Sequence, residues 1–227
     1  MTSLPGSRQK VYPGLFITFE GPEGGGKSTQ LAALADFLEA QGVPVVRTRE
    51  PGGTPIGEQV RRILLDHANQ AMHPRTEVLL FQASRAEHVA KLIAPALEQG
   101  KVVLCDRYAD STLAYQGYGR QTDLEALAQV VAYATGGLMP DLTLLLDLPV
   151  EDGLRRRQPL LQEWNRLDAE TLAFHQRVRR GYLRLAEQEP GRWVKIDARR
   201  PAEEVQAEVR RVVVARLRQK GLWPEGR

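Results

Sequence analysis

An α/β domain with a five-stranded parallel sheet is predicted by two features of this 227-residue chain. Short Val/Ile/Leu-rich runs recur without clean polar alternation, as strands buried on both faces require, and longer amphipathic stretches separate them. The length allows a sizeable core and makes one domain the default. MTSLPGSRQKVYPG has no apolar segment, so residues 1–13 read as a loose flexible arm before a domain spanning 14–220. LFITFE (15–20) is the first strand; Leu31, Leu34 and Leu38 then recur on one helical face before Gly42. VPVVRTRE (43–50) is the second strand. Residues 51–100 contain no strand pattern and read as helical, ending in a stripe of Val89, Leu92, Ile93, Ala96 and Leu97 before Gly100. KVVLCDR (101–107), LTLLLDL (142–148) and RWVKID (192–197) complete the sheet. Pro201 is expected as the first residue of a final helix with Val205, Val209 and Val212 on its inner stripe, and 221–227 form a C-terminal tail.

Composition narrows the function classes. Lys and Arg number 31 against 28 Asp and Glu, and a net charge of +3 is too small for a nucleic-acid-coating surface. The basic segment RRVVVARLRQKGLWPEGR reads as a packed helix with one solvated face, so neither a nucleic-acid nor a membrane partner is expected. No run of about 18 apolar residues supports a membrane span. The lone Cys105 sits inside a strand as core packing, no Cys/His cluster has zinc spacing, and a reducing cytoplasmic location is expected.

The chemistry begins at FITFEGPEGGGKSTQ (16–30). Gly21, Gly26, Lys27 and Ser28 satisfy GxxxxGK[ST] between a strand and a helix, the context that makes this P-loop motif specific. The glycines let backbone N–H groups turn inward around a phosphate, the helix start adds its positive dipole end, and the lysine supplies a mobile charge. The Ser28 hydroxyl is placed to ligate Mg²⁺. KVVLCDRY ends a strand in Asp106, a Walker B pattern, followed by Arg107. That arginine is either a bidentate phosphate ligand or part of a structural pairing, with Asp106 or at a helix cap. These features establish a nucleoside triphosphate site. The absence of NKxD weakens a guanine-specific reading. Phe81 and Arg85, four apart, share a helix face; they either stack on and hydrogen-bond a base, or are a core ring and a solvated cation.

EGPEGGGKSTQ, TREPGGTPIGE, LLFQASRAEHV, CDRYADSTLAYQGYGR and NRLDAETLAFHQRV, in this order over residues 15 to about 200, resemble the thymidylate kinase family of bacterial type. The resemblance implies a P-loop NTPase three-layer αβα fold with a small helical lid at about 151–168, a homodimer, and transfer of the γ-phosphate of ATP to dTMP. It implies that Gly21, Pro22, Glu23, Gly24, Gly25, Gly26, Lys27, Ser28 and Thr29 hold ATP, and that Ser28 and Asp106 hold Mg²⁺. Phe81 would stack on thymine and Arg85 bond its edge. Arg49 and Arg107 would lie near the acceptor phosphate, Glu23 near the sugar 3'-OH orienting Arg107, and Ser111, Tyr115 and Gln116 around the deoxyribose and base. KIDARR (195–200) would flank the donor adenine.

The lid departs from the family pattern. EDGLRRRQPLLQEWNRLDAE carries Arg155, Arg156, Arg157 and Arg166, but QPLLQEWN replaces an arginine- and glycine-rich stretch, and Leu160, Leu161 and Trp164 suggest an apolar patch. The arginine run is either a lid contact or a solvated helix end. Arg166 is the expected lid catalyst beside Lys27 and Arg107. Two other readings stay open: another P-loop nucleotide or small-molecule kinase, and a non-catalytic nucleotide-binding paralogue.

Overall fold

The apolar runs fold as five parallel strands in a computed structural model that describes residues 11–157 and 166–224. They are β1 (Leu15–Glu20), β2 (Val45–Arg49), β3 (Val102–Asp106), β4 (Leu142–Asp147) and β5 (Trp193–Asp197), in the order β2-β3-β1-β4-β5. All six residues of β1 are buried. Successive side chains of a strand point to opposite faces, and the core divides accordingly. Leu15, Ile17 and Phe19 join one cluster with Leu31, Leu34 and Leu38 of α1 (Lys27–Ala40) and with Val205 and Val209 of α9 (Ala202–Gln219). Phe16, Val103 and Cys105 join a second with Ile93 and Leu97. Layers on both faces therefore follow from unbroken apolar strands, as the sequence pattern predicts.

The strandless stretch is helical: α2 (Pro55–Leu65), a short 3-10 turn, and α3 (Pro74–His88), which runs through a π-helical segment (Val89–Ile93) into α4 (Ala94–Glu98). Thr54 caps α2 by accepting from Gly57 N, and Pro55 opens the helix where no N–H is needed. After β3 come α5 (Ala109–Thr112), a second π-helical segment (Leu113–Gly119) and α6 (Leu124–Thr135); α7 (Val150–Arg157) follows β4 and α8 (Leu172–Gln188) precedes β5.

Three details differ from expectation. Pro201 is the cap before α9 rather than its first residue. The inner stripe of α9 runs Val205, Val209, Val213 and Leu217, every fourth residue, with Val212 only partly buried at its edge. The packed chain extends past Gln219, because Trp223 stacks on Phe37 of α1 with ring centroids 6.1 Å apart. The N-terminal arm up to residue 10, the QPLLQEWN stretch with its apolar patch, and residues 225–227 lie outside the described residues. Among the described residues no helix is long and apolar enough to cross a membrane.

Candidate active site

The sheet order places the site. From β1 the chain crosses β3 to form β2, and from β3 it crosses to the other side to form β4, so connections diverge between β1 and β3. Ligands of open α/β sheets bind outside the carboxyl ends of strands at such a switch point. Register aligns these ends: Asp106 of β3 is level with both Phe19 of β1 and Arg49 of β2. A cavity of about 530 Å³ opens there.

The loop after β1 has the predicted form. Gly26 caps α1 at φ 80°, a left-handed conformation suited to glycine. At Gly24 a Cβ would lie 2.1 Å from the carbonyl oxygen of Gly153, so the loop backbone rests directly on α7. Lys27 is buried and folds over the loop, donating from Nζ to the carbonyls of Pro22 (2.7 Å) and Gly21 (3.1 Å). Burial and the neighbouring Arg107 push its pKa down to about 8, against the opposing pull of Glu23, Asp106 and Glu20.

Asp106 and Arg107 do not pair with each other. Asp106 accepts from Ser28 Oγ at 2.5 Å, and Arg107 reaches Glu23 Oε1 through Nη2 at 2.7 Å. Arg107 has φ 68°, a left-handed conformation rare for a residue with a Cβ, of the kind that recurs at functional sites. Its guanidinium lies 5.0 Å from the centre of the Tyr115 ring, and Tyr115 OH donates to the same Glu23 oxygen at 2.7 Å. Burial alone would raise the Glu23 carboxyl, but Arg107, Lys27 and the Tyr115 hydrogen bond outweigh it and hold it well below the ordinary carboxylate range. Burial likewise opposes the charge of Arg107, yet Glu23 carries its pKa well above the usual value. Both groups are therefore charged at neutral pH.

Ser28 and Asp106 present a hydroxyl and a carboxylate oxygen side by side at the loop mouth. Among the described residues no group of three or more His, Cys, Asp or Glu forms a metal cage. This donor set suits a magnesium ion, which keeps several waters and takes its other ligands from phosphates.

The opposite end of the cavity is walled by α3. Phe81 is partly buried and lines it. Arg85 also borders it but is not solvated: its side chain is 1% exposed and every guanidinium nitrogen is engaged. Nε donates to Glu50 (2.8 Å), Nη1 to Gln82 and Thr112 (2.8 and 2.9 Å), and Nη2 to the Tyr108 carbonyl (3.0 Å). Gln116 lines the cavity while donating to Glu77 at 2.9 Å. Arg49 also lines it, held by both oxygens of Glu58 at 3.0 Å.

Arg166 departs most from expectation. It does not border the cavity; it is buried, with Nη1 2.6 Å from Glu77 Oε2 and Nε donating to the Leu64 carbonyl at 3.1 Å. A buried guanidinium needs a carboxylate partner, and Glu77 supplies it. The earlier run contributes instead: Arg156 and Arg157 line the cavity, Arg156 also reaching the Ala198 carbonyl of the KIDARR segment at 2.8 Å, and Arg157 pairing with Asp168 at 2.7 Å. Arg155 is exposed beside Asp152.

Sequence reading missed four groups. Glu50 adjoins Arg49 in TREPGGT and Glu20 opens EGPEGGGKS, so position beside a motif was their signal. Arg61, in the cavity wall, had only its place on the α2 face. Tyr182, hydrogen-bonded to Arg107, had no local signal at all.

Comparison with known proteins agrees with this geometry. The family model described as thymidylate kinase matches residues 19–209. A thymidylate kinase of Thermomicrobium roseum is 57% identical over 190 residues, covering 84% of this chain and 90% of its own length. One of Roseiflexus castenholzii is 53% identical over 211 residues, covering 88% and 92% respectively. The crystal structure of thymidylate kinase from Ehrlichia chaffeensis superposes with a TM-score of 0.73 at 36% identity, covering 88% of this chain and 98% of that one. With the family model over residues 19–209 and relatives more than 50% identical over most of the chain, the chain belongs to the thymidylate kinase family.

Proposed function

We propose that the protein transfers the γ-phosphoryl group of ATP to dTMP, giving dTDP. The observation that carries this reading is one cavity joining two unlike ends. Lys27, Arg107 and the P-loop N–H groups line one, and Phe81, Gln116 and the immobilised Arg85 wall the other. ATP phosphates fit the first end and the thymine base the second.

The acceptor is a phosphate oxygen, already anionic near neutral pH, so no general base has to create the nucleophile. The obstacle is bringing two polyanions together while charge redistributes on the moving group, and fixed cations and donors meet it. Lys27 releases the Gly21 and Pro22 carbonyls to reach the donor phosphates, recovering a partner for its buried charge. Arg107, held by Glu23, faces both phosphates from the end of β3. Arg49, Arg156 and Arg157 add positive charge around the gap. Mg²⁺, held through Ser28 and Asp106, would screen the phosphate oxygens as a Lewis acid. Arg166 takes a structural role, anchoring the end of the lid segment to Glu77 of α3. Tyr115, with its hydroxyl on Glu23, occupies the sugar side, where a ribose 2'-OH would crowd it.

The rest of the reading is a single kinase domain, a cytoplasmic location and a homodimer. The exposed Ile56 and Ile63 of α2, Leu79 of α3 and Tyr133 of α6 support the dimer as an apolar surface on neighbouring helices. A coupled ADP-release assay across dTMP, dUMP, UMP, CMP, AMP and no acceptor tests the function. Strong dTMP-dependent release is expected. Preference for another acceptor, or ATP binding without turnover, contradicts it.

A further inference from the structure

We infer that Tyr182 of α8, acting with Glu20 at the end of β1, is a positioning residue that aims the Arg107 guanidinium at the transferring phosphates. The inference rests on the phosphoryl-transfer reading above and deepens it. Two clamps hold Arg107. The first, through Nη2, is Glu23 in the P-loop itself, at 2.7 Å. The second, through Nη1, joins two hydroxyls from outside the loop, Tyr182 OH at 3.1 Å and Ser111 Oγ at 3.4 Å, with the loop's own Gly21 carbonyl at 3.2 Å.

The second clamp is built from the core outward. Tyr182 is fully buried, and its ring meets Tyr115 and Trp193 edge-on at 6.3 and 6.5 Å, so the position of its hydroxyl is fixed by packing. Glu20, also fully buried, accepts from Tyr108 N on Oε1 (2.8 Å) and from Ser111 Oγ and Tyr182 OH on Oε2 (2.6 and 2.8 Å). In its ionised form, above about pH 7, Glu20 only accepts, so there it decides where the two hydroxyl protons go. Tyr182 donates either to Glu20 directly or to Ser111 Oγ 2.8 Å away. In both cases the hydroxyl protons run toward Glu20 and lone pairs face Nη1. Glu20 thus turns two ambiguous hydroxyls into acceptors for Arg107. Ser111 of α5 and Tyr182 in the middle of α8 are joined to the end of β1 across 91 and 162 residues to do so.

A purely structural Tyr182 would affect only stability, and a double-mutant cycle separates the two roles. Tyr182→Phe keeps the ring and removes the acceptor. It is expected to lower kcat for dTMP about 10-fold, the scale of one hydrogen bond to a charged group, with KM for ATP changed less than about twofold. In an Arg107→Lys background, which lacks the forked Nη1 donor, the same change should cost less than about twofold. Glu20→Gln, similar in size but able to donate, should turn one hydroxyl proton toward Arg107 and show the same dependence on Arg107. That second cycle decides the matter if Tyr182→Phe does not fold. Multiplicative losses in both cycles, or wild-type kcat in Tyr182→Phe, overturn the inference. If the wild-type enzyme itself fails to turn over dTMP, the functional reading fails instead.

Discussion

The two ends of the cavity are built on opposite plans. At the phosphate end the charges face the cavity: Lys27 rests on two backbone carbonyls that a stronger anionic partner can replace, and Arg107, held through both Nη1 and Nη2, stays partly exposed to it. At the base end the charge is spent, because Arg85 is enclosed by Glu50, Gln82, Thr112 and Tyr108 with every nitrogen engaged. One end is a cationic cradle waiting for polyanions; the other is a rigid wall whose position those hydrogen bonds fix. The difference teaches that arginines in one pocket are not interchangeable, since exposure and partner decide whether a guanidinium does chemistry or architecture.

Substitutions at the two ends should separate activity from stability. The largest effect belongs to the phosphate end: Lys27→Ala is expected to lower kcat by at least about 10²-fold, the loss typical of one transition-state donor. Because folding lowers the Lys27 pKa to about 8, its charge is disfavoured in the folded state, and thermal denaturation of the variant should show a Tm no lower than wild type. Arg85→Ala should do the reverse. It leaves the buried Glu50 carboxylate with His88 at 3.1 Å as its remaining side-chain ion-pair partner among the described residues. A destabilisation of about 3 kcal/mol in urea titration is expected, with a raised KM for dTMP. Arg166→Ala tests the same contrast in the lid segment. Glu77 keeps Arg120 and Gln116, so about 1–2 kcal/mol of stability should go while kcat stays within about threefold.

The smallest effect is a pH slope. Burial, with Asp110 nearby, pushes the Glu20 carboxyl up to about 7, against Arg107, Ser111 and Tyr182. Lys27 is the other charge nearby. The folded protein then retains a proton that the unfolded chain releases, so this contribution to stability is full below the unfolded pKa and lost as pH rises through about 7. Glu20→Gln lacks this loss, and its Tm relative to wild type should rise between about pH 5 and pH 8. A constant difference would show that Glu20 is not the titrating group.

How legible each end was follows from sequence distance. GPEGGGKS and Asp106–Arg107 are contiguous, so one turn of backbone sets their geometry and a short pattern reveals it. The strands were legible for a similar reason, since burial on both faces leaves an unbroken apolar run. The base end depends on pairs such as Arg85 with Glu50, 35 residues apart, and Arg166 with Glu77, 89 apart, which only the folded sheet brings together. No local spacing states whether a helical arginine meets solvent or a carboxylate from another element. That is why Arg85 stood open between two readings and Arg166 was expected in the wrong place, while Tyr182 gave no sign.

The central claim is that a preformed guanidinium at the end of β3, and not a proton acceptor, carries the acceleration. Its most direct test is dTMP-dependent ADP release by purified Arg107→Ala beside wild type, both at saturating ATP. A fall of about 10²-fold or more is expected in a variant that still folds, with some loss of Tm from Glu23 left without its arginine. Turnover within about tenfold of wild type would contradict it.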